Sequence, residues 1–220
     1  MTSRRDYGTF SKTAPRLLKP MVEQLGYQQL DGVVFGRRRD GWIETFFLQQ
    51  SVHGTGDFVV PVGLSVPNMD DLWQKEATSK SFGLIISKRL GSHGLDGGYE
   101  LYPATNKIEL VASLEQVASD LKSMNPWFAT FDSMVDVAAK YKKIGHGPLG
   151  AINYGFLLIL AGQTKEAKVK LEYALEQWQK IVLEEDPYLE RKQPGKESLS
   201  FHALNVHRLT VVEAALRGLA

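Results

Sequence analysis

Cysteine is absent from all 220 residues. That absence excludes disulfides, thiolate metal sites and cysteine nucleophiles, and it suits a reducing compartment. Neither sign of charge is in excess, because 26 lysines and arginines face 25 aspartates and glutamates. Binding nucleic acid through counterion release favours a marked positive balance, so the totals ask for no direct nucleic acid partner. Long apolar runs are missing too. The start, Met1-Thr-Ser-Arg-Arg-Asp-Tyr-Gly8, has no apolar stretch of the kind a secretory signal needs, and residues 149–161, the most apolar segment, are too few to cross a bilayer. These features predict a cytoplasmic protein with no membrane partner.

Signatures of catalysis are also scarce. The sequence has no Gly-x-Ser-x-Gly elbow, Walker loop, kinase set or His-Glu-x-x-His helix. One pattern comes near: Gly145-His-Gly-Pro-Leu-Gly150 satisfies Gly-x-Gly-x-x-Gly and opens a helix, as a phosphate cradle would. What precedes it reads as helix, however, and a dinucleotide site requires a strand there. Pro148 suits a helix start and the glycines suit a helix-to-helix turn. Of the histidines, His202 and His207 are five apart and point away from each other, where a zinc site on a helix commonly uses a spacing of four. His53 and His93 fall in expected loops, where Asp57 or Asp96 could join them, and His146 belongs to the glycine turn. No metal, cofactor or catalytic residue is expected. An enzyme site, if assembled, would lie near His53 and His93 or at residues 145–150.

What is present divides the chain into two halves. Ala14, Leu17, Leu18, Met21, Val22 and Leu25 recur at helical spacing, and Gly26 follows as a stop. Val33-Val-Phe-Gly-Arg-Arg-Arg39 runs through Asp40-Gly41 into Trp42-Ile-Glu-Thr-Phe-Phe-Leu-Gln-Gln50, which is hairpin chemistry. Residues 58–66 alternate, with Phe58, Val60, Val62, Leu64 and Val66 on one face and Pro61 marking an edge or a bulge. A fourth strand is expected over 82–88 and a short fifth over 99–102, after a glycine-rich loop at 91–98. From Ser113 the period becomes helical. Ser113-Leu-Glu-Gln116 has the form of a capping box, and Asn125-Pro126 ends that helix. Further helices are expected over 133–141, 149–161 and 164–185. A charged linker over 187–196 then leads to a last helix that turns Val206, Leu209, Val212, Leu216 and Leu219 inward.

The fold class is therefore α+β: an antiparallel sheet covered by an N-terminal helix, followed by an all-α bundle. The expected parts are a flexible tail over 1–12, a sheet domain over 13–124 and a helical bundle over 125–220. The order of helix, Leu25-Gly-Tyr27, Val33-Val-Phe-Gly-Arg37, the Phe46-Phe-Leu-Gln49 strand and Phe58-Val-Val-Pro-Val-Gly-Leu64 resembles bacterial proteins of the domain of unknown function 4304 type, as does Asn125-Pro-Trp-Phe128. The resemblance covers residues 13–140. Separately, Ala151-Ile-Asn-Tyr-Gly-Phe-Leu-Leu-Ile-Leu-Ala-Gly162, with Glu166-Ala167 and Leu171-Glu-Tyr-Ala-Leu175, is similar to one tetratricopeptide-type helical hairpin.

Two charge clusters remain. Arg37-Arg-Arg39 at the hairpin tip reads as a solvated edge. Glu184-Glu-Asp-Pro-Tyr-Leu-Glu190 puts acids where a helix C-terminus favours cations, which reads first as a solvated linker and second as an acidic surface made to meet a basic partner. The expected function is non-catalytic protein binding. The resemblance permits a bacterial immunity protein that neutralises a cognate secreted toxin, such as a nuclease, by direct complex formation. The alternative is a tetratricopeptide-like adaptor that docks a peptide. Trp42, His93, Tyr99, Glu184, Glu185, Asp186 and Glu190 are the candidate contact residues, the aromatics because interface hot spots favour Trp and Tyr.

Overall fold

The computed structural model describes residues 8–51, 56–73, 83–91, 101–184 and 201–220. The chain forms two compact units, one of residues 1–67 and 81–132, the other of 68–80 and 133–220. The boundary after the sheet half thus falls at 132, and an excursion at 68–80 joins the helical unit. Among the described residues no helix is long and apolar enough to cross a membrane.

The first unit begins with α1 (Phe10–Glu23), whose buried Phe10, Ala14, Leu18 and Val22 follow helical spacing. Pro15 and Pro20 lie inside this helix, and each removes a backbone donor, so burial against the rest of the unit has to hold it. Past Gly26 the chain enters β1 (Gln28–Asp31), a strand that the polar run Gln-Gln does not announce in the sequence. It pairs with β2 (Val34–Arg38), and β2 pairs with β3 (Ile43–Phe47), all antiparallel. The hairpin at Asp40-Gly41 is present: Gly41 takes φ +88°, which favours glycine, and the Arg39 amide donates to the Trp42 carbonyl at 2.9 Å.

β4 (Gln49–Gln50) pairs with β5 (Phe58–Val59) as a separate two-stranded ladder, and β6 (Pro61–Ser65) returns to β3. With β7 (Ile86–Arg89) on its other side, β6 lies inside a sheet of order β1-β2-β3-β6-β7. Pro61 is therefore not on an edge strand. It occupies the first position of β6, where a missing donor is tolerated. The alternation is as expected, with Phe58, Val60, Val62, Leu64 and Val66 all buried. Tyr102 adds only an isolated bridge to Phe58, and residues 99 and 100 lie outside the described residues.

α3 (Lys107–Ser123) starts earlier than the Ser113 pattern suggests. Asn106 caps it by accepting the Glu109 amide at 3.0 Å. Ser113 sits within the helix and its hydroxyl donates to the Pro103 carbonyl at 2.7 Å, so it caps nothing. Leu110, Leu114, Val117 and Leu121 are fully buried, and α3 packs on α1. Phe35 and Phe46 stack at 5.1 Å with Tyr27 edge-on to Phe46 at 5.2 Å, forming the aromatic centre of the unit. The short α4 (Asn125–Phe128) ends it.

In the second unit, α2 (Asn68–Leu72) leads to Trp73, whose indole donates to Asn153 at 3.1 Å and meets Phe156 edge-on at 5.4 Å. α5 (Met134–Tyr141) opens with a reciprocal capping box between Ser133 and Asp136. α6 (Gly147–Leu160) is buried on several sides, as its apolar composition predicts, and packs on α2, α5 and α7 (Thr164–Glu184). Ala167, Leu171, Ala174 and Trp178 form the buried stripe of α7. α8 (Phe201–Gly218) packs on α7 through a stripe shifted from the one expected. Asn205, Val211 and Val212 are buried, whereas Val206 is exposed and Leu209, Leu216 and Leu219 are only half-buried.

Candidate functional site

Two groups of charged side chains stand out, and they differ in kind. The first explains the arginine triplet. In the β2–β3 register Arg37 lies opposite Glu44, a carboxylate that is almost wholly buried at 1% exposure. Arg37 Nε donates to Glu44 Oε2 at 2.6 Å and Arg39 Nε to Oε1 at 2.7 Å. Arg37 also donates to the Leu25 carbonyl and to Asn125 Oδ1, both at 2.9 Å, and its guanidinium lies 4.9 Å over the Tyr27 ring. It therefore joins the end of α1, the sheet and the start of α4. The solvated-edge reading holds in full for Arg38, while Arg39, although also exposed, is engaged by Glu44. Arg37 and Arg39 are paired structural groups.

Tyr27 completes this cluster and has a testable property. Its hydroxyl is buried with no hydrogen-bond partner among the described residues. Burial, more than any neighbouring charge, raises its ionisation well above the usual phenol range. A raised folded-state value means that the stabilisation is complete below the unfolded phenol pKa and is lost as pH rises above about 10. Tyr27→Phe is expected to raise stability by about 1 kcal/mol at pH 7, since it removes an unsatisfied buried donor, and to flatten the decline above pH 10. Urea midpoints at pH 7 and pH 11 measure both effects. An equal alkaline decline in the variant would assign it to other groups.

The second group lines a cleft of about 210 Å³ in the helical unit. Its wall is built by Lys142, Gly145, His146, Gly147, Ala151, Tyr154, Lys170 and Tyr173, from the α5–α6 turn, the first turns of α6 and the middle of α7. The glycine motif is part of this wall, and the fold accounts for each glycine. A Cβ on Gly145 would come 2.2 Å from the Tyr141 ring, and one on Gly150 would come 2.6 Å from the Gly145 backbone. Gly147 takes φ +72°. The motif is a compact helix-to-helix turn.

Of the lining residues, Tyr154 donates its hydroxyl to Glu166 Oε1 at 2.9 Å, and Lys142 Nζ stands 3.5 Å from the same oxygen. The Tyr154 bond, helped by Lys142, holds the Glu166 carboxyl below the usual carboxylate range. The Lys142 ammonium is held above the ordinary lysine range by Tyr154 first and Glu166 next. Tyr154 itself is raised, by burial and then by its bond to Glu166. Because the Glu166 value is lowered, this network is complete above the unfolded carboxylate pKa and is lost as pH falls through the folded one. Lys170 has no carboxylate at ion-pair distance among the described residues, although its charge reaches Glu166. Glu166 turns to Tyr154 and Lys142 and not to Lys170, four residues on along its own helix, while Glu176 and Lys180, at the same spacing, do pair at 3.0 Å.

Of the contact residues expected from sequence, Trp42 and Glu184 lie among the described residues. Trp42 is 5% exposed and belongs to the core of the sheet unit, so it is not an exposed hairpin-tip aromatic. Glu184 ends α7. His53, His93, Tyr99, Glu185, Asp186, Glu190 and Asp96 lie outside the described residues, as does the 187–196 linker. His146 and His207 are exposed, and among the described residues no three His, Asp or Glu side chains gather as metal ligands would. Sequence reasoning passed over Lys142, Lys170 and Tyr173. A signal was there: residues 140–173 carry six lysines against two glutamates, in a chain with a net charge of only +1. No family model, curated protein or solved structure matches the chain.

Proposed function

We propose that this protein acts by binding a protein partner, without catalysis, and that the α6–α7–α8 arrangement is its docking element. The observation that carries this reading is the interlock between α6 and α7. A Cβ on Gly155 would lie 2.6 Å from Leu171 Cδ2, so the bare backbone of one helix receives the apolar side chain of the next. Close helix pairing of this kind is what a tetratricopeptide-type hairpin needs, and such hairpins serve as stackable docking surfaces. α5 and α8 flank the pair, α5 against α6 and α8 against α7, which extends it in chain order.

The outer face of α7 supports the same reading. Val169 is 61% and Tyr173 50% exposed, four residues apart and so on one face. An aromatic and an aliphatic group standing together in water are suited to an interface. A cognate secreted toxin is the partner that the resemblance over 13–140 permits, with neutralisation by direct complex formation.

Co-expression of the full chain with the product of each adjacent gene tests the proposal. A complex that survives gel filtration is expected with one of them, and Val169→Glu is expected to weaken it at least tenfold, since the charge would have to be desolvated in the interface. A complex indifferent to Val169→Glu and Tyr173→Ala would remove α7 from the docking element. Failure to form a complex with any neighbour would overturn the immunity reading.

A further inference from the structure

The cleft of Lys142, His146, Lys170 and Tyr173 has features that neither the fold nor the helical-hairpin likeness requires. A turn between two helices can be closed with apolar side chains, yet this one is open, about 210 Å³ in volume, and bordered by two ammonium groups, an imidazole and two phenols. Among the described residues no carboxylate lines it, and Glu166, the partner of the lining Tyr154, is already engaged by the Tyr154 hydroxyl at 2.9 Å. That bond leaves Tyr154 turned to Glu166 and keeps Lys142 over the Tyr154 ring, 5.9 Å from its centroid. One carboxylate thus positions one lysine, while Lys170 across the cleft has no such partner among the described residues.

The segments that build the cleft are rich in charge of one sign. Lys140, Lys143, Lys165 and Lys168 lie in the same two segments of chain, and Glu172 is the only further acid between residues 140 and 173. Lys142 and Lys170, which line the same cleft, repel each other, and an anion bound between them relieves that repulsion. The shape limits the anion. A single-stranded nucleic acid needs an extended cationic track with several stacking platforms, whereas this cleft admits one side-chain-sized group with one exposed ring, Tyr173, beside it.

We infer that the cleft holds an oxyanion of an acidic peptide segment, a carboxylate or a phosphoryl group, seated between Lys142 and Lys170 with the neighbouring residue against Tyr173. The inference rests on the protein-binding reading above and names the chemistry of the segment bound. A partner contact of this type is steered by charge and weakens with salt.

The test uses the full ¹⁵N-labelled chain titrated with an acetylated, amidated pentaglutamate, its pentaglutamine counterpart, the same acidic peptide with one phosphoserine, inorganic phosphate and oligouridylate. Amide shifts at Gly145, His146, Gly147, Ala151, Lys170 and Tyr173 are expected with both acidic peptides and not with pentaglutamine. A preference for one acidic peptide identifies the oxyanion. The K142Q/K170Q variant, which changes two side chains at the surface, is expected to lose at least about tenfold in affinity while keeping its circular dichroism. Shifts scattered over the surface, or unchanged in K142Q/K170Q, would overturn the inference, as would tighter binding of oligouridylate or phosphate alone. A neighbour complex formed undiminished by K142Q/K170Q would also overturn it, while leaving protein binding in place.

Discussion

Arg37→Met is expected to lower the unfolding free energy by about 3–5 kcal/mol, the usual consequence of removing one partner from a buried ion pair. The size follows from what stays behind. Glu44 remains 1% exposed with only Arg39 beside it, and the side chain of Arg39 is 47% in solvent. The Leu25 carbonyl and Asn125 Oδ1 lose their donor at the same time. Methionine fills the volume but returns none of these bonds. Urea unfolding measures the loss, with Arg38→Gln as a control expected to stay within about 0.5 kcal/mol because Arg38 is exposed. The double change Arg37→Met with Glu44→Leu is expected to recover much of the loss, since no charge is then left unpaired in the interior and Arg39 can be hydrated. A single variant no worse than the Arg38 control would mean that water reaches Glu44.

Trp178→Ala is expected to cost about 3–5 kcal/mol, in the range for deleting a buried indole. Trp178 is 6% exposed on α7, and the Arg208 guanidinium of α8 lies 4.9 Å over its ring. Asn205 accepts from Arg208 Nη1 at 2.8 Å and so holds that guanidinium in place. The indole therefore carries much of the packing of α8 on α7. Its N–H finds no partner among the described residues, so Trp178→Phe gives up contact area without orphaning a donor and is expected to cost less than about 1.5 kcal/mol. Near-ultraviolet dichroism and thermal unfolding would report the two variants. Wild-type stability in Trp178→Ala, with weaker partner binding, would make Trp178 a groove residue.

Much of the fold was legible because its signals are local. Asp40-Gly41 supplies a tight turn without reference to the rest of the chain, the period-two pattern over 58–66 needs only one covered face, and Ser133 with Asp136 closes a capping box within four residues. Where local signals competed, the tertiary structure chose. Both Asn106-x-x-Glu109 and Ser113-x-x-Gln116 can cap a helix. Burial of Leu110 requires helix before Ser113, and the Pro103 carbonyl takes the Ser113 hydroxyl. β1 was hidden because its pattern is polar, and it is a strand only because β2 offers an edge to pair with.

The arginine triplet shows how close the two kinds of information come. Counting charge along the chain makes Arg37, Arg38 and Arg39 a solvated cluster, yet the hairpin register, which follows from Asp40-Gly41, already sets Arg37 opposite Glu44. Only the covering of that face by the rest of the unit turned the pair into a buried one, because removing water strengthens the attraction and makes a missing partner costly. The cleft lies at the far end of this scale. Composition, turn chemistry and periodicity determined by themselves an α+β chain with an antiparallel sheet and a helical end, since each acts over a few residues. Lys142, Tyr154 and Lys170 come from three segments with nothing in common locally, and packing of α5, α6 and α7 alone decided that their side chains would share one volume of solvent.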